Sequence, residues 1–365
     1  MNQKISVDYL NLLNVSGVGP QRVRSLLSRF KTPENIWAAS LSDLCSVDGI
    51  NRSSAQAILD YSNFDYGLRQ IEIADKLNIR IISYSDETYP LLLKRIYDPP
   101  LLLFVKGNGL AAKQDCLGIV GTRLVSDYGK RITKELAGTL SKYGLIIVSG
   151  LARGVDTIAH KETLSVGGKT LAVLGCGLDR VYPAENKKLF DEIVEKDGAL
   201  LSEFPFGTKP EAGNFPQRNR IISGLSHATI VVEAGDKSGA MLTAMNAIDQ
   251  NREVFAVPGR ITDKQSVGTN RLIRHGAIPV LDADQILENL QSHLFYPNQL
   301  KQESIQIDLT PDQRTIIIFL QDDPVHIDEL SKLTNMDITF LLGTLLQMEL
   351  QGSVRQLAGK MFVSN

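Results

Sequence analysis

Four glycine-bearing turns in the middle of the chain hold the residues best suited to chemistry. Gly121-Thr122-Arg123 follows the apolar run DCLGIV, and Ser149-Gly150-Leu151-Ala152-Arg153-Gly154-Val155-Asp156 begins as GLIIV ends. Glu233-Ala234-Gly235-Asp236-Lys237-Ser238-Gly239 follows ATIVV, and just before ATIVV the stretch NFPQRNRIISGLS brings Arg218, Asn219 and Arg220 together. A glycine turn that opens a helix offers unpaired backbone N–H groups and the positive end of the helix dipole to an anion. Arginine adds a forked, permanently charged donor that matches phosphate oxygens. One such turn is only what a tight strand-to-helix connection requires. Four on one edge, carrying Arg123, Arg153, Arg218, Arg220 and Lys237, predict a phosphate-binding rim.

Other chemistries fail on spacing. Gly175-Cys176-Gly177-Leu178-Asp179-Arg180 has Arg180 where a dinucleotide fingerprint needs its third glycine. Gly168-Lys169-Thr170 ends like a Walker A motif, but position 163 is threonine and a strand follows instead of a helix. His160 is followed by KETL, so HExxH is absent, and Cys45, Cys116 and Cys176 form no CxxC. Neither a metal site nor a cofactor is expected.

The elements that must position the rim follow from periodicity. Residues 64–290 alternate apolar runs, at 79–85, 100–107, 115–123, 144–152, 169–177, 199–206, 228–235, 253–259 and 277–281, with helical stretches such as DYGKRITKELAGTLSKY. Near-continuous apolar strands are buried on both faces, which predicts an extended Rossmann-like, doubly wound α/β fold with a mostly parallel sheet. Ligands of such sheets sit at the carboxyl ends of the strands, where all four turns fall. Apolar residues such as Val254, Phe255 and Val280 could face either the core or a partner.

Residues 1–63 read as short helices around Gly17-Val18-Gly19-Pro20, with a weaker copy in which Gly49 remains and Asn51 replaces the second glycine. This resembles a tandem helix-hairpin-helix (SAM-like) domain, which could hold phosphate or contact protein. Residues 291–306 read as a polar linker. Residues 307–365 read as three helices and a hairpin around Ala358-Gly359, a winged-helix domain.

Charge narrows the partners. With 39 Lys+Arg against 41 Asp+Glu the chain is formally −2, which excludes a cationic tail but not a basic cleft. Residues 307–365 hold four basic and eight acidic residues, and the helix MDITFLLGTLLQMELQG has neither Lys nor Arg. A groove-reading helix needs cationic or amide side chains, so this module is expected to serve packing or protein contact rather than DNA. The N-terminus lacks a signal-peptide pattern and no apolar run approaches the roughly 18 residues of a membrane span; a cytoplasmic protein without membrane contact is expected.

The ordered runs GIVGTR, SGLARGVDTIAH, TLAVLGCGLDRVYPAEN, LLSEFPFGTKP, NFPQRNRIISGLS, EAGDKSGAMLTAMNAI and GTNRLIRHGAIPV closely resemble the DNA-processing protein A (DprA/Smf) family, strongly over about residues 75–285. The resemblance implies a non-catalytic mediator that binds and protects single-stranded DNA, loads RecA onto it in natural transformation, and dimerises through the Rossmann-like domain. Carried over by motif, the DNA-binding residues would be Gly121, Thr122, Arg123, Gly150, Arg153, Gly154, Phe215, Arg218, Asn219, Arg220, Lys237, Ser238 and Gly239. Phe215 could then stack on an unpaired base, worth about 1–3 kcal/mol, or anchor its helix in the core. Asp156 could simply cap a helix.

Two other readings stand beside it. The edge also resembles nucleotide-processing phosphoribohydrolases, but AGDKSGAMLTA lacks the catalytic carboxylate of their PGGxGTxxE loop; Asp179 and Glu185 are the remaining acids nearby. A regulator holding a single mononucleotide is the third.

Overall fold

The computed structural model describes residues 3–236, 238–294, 310–320, 325–350, 353–357 and 360–364. Residues 1–294 form one compact unit and residues 295–365 another.

All nine apolar runs of the first unit become strands: β1 (Ile79–Ser83), β2 (Leu102–Gly107), β3 (Cys116–Val120), β4 (Ile146–Ser149), β5 (Thr170–Val173), β6 (Ala199–Ser202), β7 (Ala228–Val231), β8 (Glu253–Ala256) and β9 (Ile278–Pro279). They form one sheet in the order β1-β2-β6-β5-β4-β3-β7-β8-β9. The strands from β6 to β9 pair in parallel, and β2 joins β6 and β1 antiparallel. Every residue of β3, β5, β6 and β7 is buried, which is why these strands read as unbroken apolar runs.

Alternate strand residues feed cores on opposite faces. Val120, Val148 and Val231 pack with Ile221, Ile222, Ala244 and Ala247 of the helices Asn214–Leu225 and Gly239–Asp249. Ile119, Ile147 and Ile230 pack with Leu136, Leu140 and Ala159 of the helices Asp127–Lys142 and Val155–Ser165. Val254, Phe255 and Val280 belong to these cores, at 4%, 0% and 7% exposure. The chain winds outward from β3 to β6, then returns to the other side of β3 for β7 to β9. That reversal opens a crevice between the loops after β3 and β7.

The N-terminal helices repeat one turn twice. Gly17 and Gly49 have φ of +75° and +80°, a region that favours glycine. Gly19 and Asn51 then hold the same extended conformation ahead of the helices Pro20–Phe30 and Arg52–Leu59. Asn51 is therefore a working substitute for glycine: its side chain accepts a hydrogen bond from Ser54 N at 2.8 Å. The Asn11 side chain binds Phe64 O and Gly67 N, tying this module to the helix Asp65–Lys76 that leads into β1.

Residues 291–294, expected to begin a linker, instead complete the helix Ala283–Leu294; 295–306 lie outside the described residues. The second unit contains the helices Pro311–Phe319, Ile327–Thr334 and Ile338–Leu350 and a sheet of β10 (Val325–His326), β11 (Val354–Leu357) and β12 (Met361–Ser364), ordered β10-β12-β11. This is a winged-helix arrangement. The expected turn at Ala358-Gly359 falls outside the described residues. Among the described residues no helix is long and apolar enough to cross a membrane, and no group of three or more His, Cys, Asp or Glu is placed to hold a metal.

Candidate functional site

A cleft of about 430 Å³ occupies the crevice between β3 and β7. Its walls are Gly121, Thr122 and Arg123 after β3, Phe215, Arg218 and Asn219 from the helix Asn214–Leu225, and Ser238 and Gly239 at the start of the helix Gly239–Asp249. A smaller recess of about 40 Å³ adjoins it, lined by Arg123, Gly150, Arg153, Tyr182 and Phe215 among others.

Sterics explain several of the glycines without any ligand. A Cβ on Gly121 would sit 2.5 Å from Val155, and one on Gly154, whose φ is +76°, would sit 2.3 Å from the Thr122 carbonyl. The turns after β3 and β4 thus lean on each other, joined by Val155 N donating to Thr122 O. Gly150 leaves room for the Arg218 guanidinium, which would come within 2.5 Å of a Cβ there. Gly239 differs, because a Cβ there would meet only open space. Ser238 caps that helix by accepting from Ala240 N at 3.3 Å, and the helix start faces the cleft. Lys237 lies outside the described residues.

The four described cations of the expected rim have unlike situations. Arg123 is exposed, and its guanidinium lies 5.5 Å from the Phe215 ring centroid; among the described residues no carboxylate pairs with it. Arg153 is exposed but held by Glu185 through two bonds of 2.9 and 2.8 Å. Arg218 is only 4% exposed and donates to the carbonyls of Gly150 and Val173 and to Asn219 Oδ1. Burial pulls its pKa down to about 10, with nearby Asp156 opposing the shift, so it stays charged at neutral pH. Arg220 turns away from the cleft to Glu203 at 2.6 Å and Asp98 at 3.2 Å, and Asp98 is also bound by Arg24 of the N-terminal module. Arg218 and Arg220 therefore brace the fold, instead of standing side by side as open phosphate donors. Asn219 likewise donates to Gly239 O at 3.1 Å and fixes the neighbouring helix.

Phe215 is half-buried, neither a plain core anchor nor fully open. It rests on Gly175, where a Cβ would approach its ring to 2.9 Å, and borders Tyr182 at a centroid distance of 5.6 Å. Sequence reasoning did not single out Tyr182, although it lies in the run TLAVLGCGLDRVYPAEN. Asp156 is buried and accepts from Gly150 N and Ala152 N, pinning the preceding turn instead of capping its helix. Burial raises its pKa while Arg218 works against the rise. Asp179 accepts from Gly207 N and Glu185 holds Arg153, so both of these acids are engaged. His160 binds Thr170 Oγ1 at 2.6 Å behind the site.

An exposed cation beside a partly open aromatic ring, next to a helix start that faces the cleft, suits an anionic chain with flat bases. A family model described as DNA recombination-mediator protein A matches residues 80–291, flanked by a SAM-like helix-hairpin-helix tandem at 9–61 and a DprA winged helix domain at 301–360. The protein Smf of Synechocystis sp. is 36% identical over 94% of this chain and 95% of its own length. DNA processing protein DprA of Bacillus subtilis is 45% identical over 58% of this chain and 71% of its own. In structure, DprA of Streptococcus pneumoniae superposes with a TM-score of 0.68 at 35% identity, covering 78% of this chain and 98% of that one. The Helicobacter pylori protein, whose structure was reported for its single-stranded DNA binding mode, gives 0.52 at 32% identity, covering 60% and 97%.

Proposed function

The chain belongs to the DNA recombination-mediator protein A (DprA/Smf) family, and on that premise we propose that its cleft binds single-stranded DNA and that the bound strand is protected and handed to RecA. The observation that carries this reading is Arg123: a guanidinium without a carboxylate partner among the described residues, set against Phe215 beside the start of the helix Gly239–Asp249. Phosphate goes to Arg123 and the helix N–H groups. Bases go to the ring, which an intact duplex would deny them because its bases are already stacked.

The role is binding, without a cofactor and without catalysis. Asp156 is tied to backbone N–H groups, Asp179 and Glu185 are occupied by neighbours, and Glu233 accepts from Ser126 instead of facing the cleft. The protein would act in the cytoplasm, where RecA and incoming single strands meet. A homodimer through the Rossmann-like domain has a candidate surface in the helix Gly239–Asp249, where Leu242, Met245 and Ile248 are about half-exposed at a spacing of three.

The cleft volume also lies within the range of small-ligand pockets, which favours a mononucleotide-binding regulator as the second reading. Gel shifts with a labelled oligothymidylate separate the two. Tight binding of the oligonucleotide, weak binding of a matched duplex and no competition from mononucleotides are expected. Efficient mononucleotide competition, or equal duplex affinity, would refute the single-strand reading. Release of free base from nucleoside monophosphates would return the enzyme reading.

A further inference from the structure

We infer that Tyr182 is a second base-stacking residue, extending the Phe215 platform so that two successive unpaired bases lie on it; this rests on the cleft's reading as a single-strand site. Tyr182 is 41% exposed. Its ring lies 5.6 Å from Phe215 with the planes 36° apart, and the Arg123 guanidinium lies 5.5 Å from the same Phe215 ring. Phe215 thus joins Tyr182 and Arg123 at the end of the strands, and the buried Arg218 guanidinium lies 6.0 Å from the same ring.

Dimensions decide how bases can use this row. A base between two rings would need them apart by about twice the roughly 3.4 Å stacking repeat. At 5.6 Å the gap between Tyr182 and Phe215 is closed, and the 40 Å³ recess beneath them is too small for a base. Bases must therefore lie across the exposed faces of the rings. One ring serves one base, so a row of two rings serves two.

Charge sets the direction in which the strand faces. At the Tyr182 end, Arg153 is neutralised by its two bonds to Glu185. At the other end stand Arg123, which pairs with no carboxylate among the described residues, and the helix start at Ser238 and Gly239. Phosphates are attracted to the second end and not the first, which turns the bases toward Tyr182.

The test uses the full chain with a labelled oligothymidylate, by anisotropy over a range of salt. Tyr182→Ala should weaken binding roughly tenfold, within the range of one lost base stack. Its salt slope should equal wild type's, because no phosphate contact is lost. Tyr182→Phe should bind within twofold of wild type, and an oligonucleotide of abasic sites should bind wild type and Tyr182→Ala alike. Tyr182→Trp should show emission quenched by the oligonucleotide, against a constant background from Trp37, which packs on Tyr61 in the N-terminal module. Wild-type affinity in Tyr182→Ala, or equal loss in the Ala and Phe variants with a lowered melting temperature, overturns the inference while wild-type binding upholds the cleft. Failure of wild type to bind any single strand removes the cleft reading and this one with it.

Discussion

Removing Arg218 should damage the fold more than the binding surface. The guanidinium is buried against the Gly150 and Val173 carbonyls and Asn219 Oδ1, and it is the charge that opposes the burial penalty on Asp156. A hydrogen bond to a charged group contributes about 1.5–3 kcal/mol, and emptying the space of a large buried side chain costs about 2–5 kcal/mol. These contributions overlap and do not add, so about 4 kcal/mol is the working figure for Arg218→Ala. At about 2–4 °C per kcal/mol for a unit of this size, the melting temperature should fall by roughly 10 °C. Arg123→Ala, at an exposed side chain, should stay within about 0.5 kcal/mol of wild type. Thermal melts followed by circular dichroism compare the two directly. If Arg218→Ala melts within 2 °C of wild type yet loses a phosphate contact from its salt slope, Arg218 is a ligand and not a brace, and the burial argument is wrong.

Further expectations follow from the same geometry. His160 is held neutral by burial and secondarily by Arg218, with its pKa lowered to about 3; the unfolded chain takes up a proton near pH 6.5 while the folded chain does not, so stability falls as pH drops below about 6.5, by about 2 kcal/mol at pH 5. Urea titrations should show that decline, and a folded His160→Gln variant should flatten it; an unchanged decline would point to another group. Gly154→Ala combines a φ of +76° with a 2.3 Å approach to the Thr122 carbonyl, so it should cost about 2 kcal/mol or more and lower the urea midpoint, and a neutral result would contradict the packed-turn account. Deleting residues 307–365 should leave single-strand affinity within a few-fold, and a hundredfold loss would assign DNA contact to the winged helix.

The sheet was legible because strands buried on both faces must be apolar throughout, and all nine runs form strands. Their ends were read too long: GLIIVSGLA predicts nine residues where β4 has four, since the turn that follows is apolar too. The site was legible as a set of turns but not as a set of roles. Arg218 and Arg220 look alike in sequence, yet two positions on a helix differ by about 200°, and one faces the cleft wall while the other faces Asp98 and Glu203. That angle was available from the sequence; their partners were not. The Arg153–Glu185 pair spans 32 positions and the contact between Tyr182 and Phe215 spans 33, and only the sheet order brings such residues together.

The central claim is that Arg123 holds a phosphate of a single strand, and the salt dependence of binding tests it most directly. Affinity for an oligothymidylate should fall linearly against salt on logarithmic axes for wild type. Arg123→Ala should bind more weakly at low salt with a slope shallower by about 0.7, the signature of one lost phosphate contact on a single strand. An Arg123→Ala variant with wild-type slope and affinity would contradict the account.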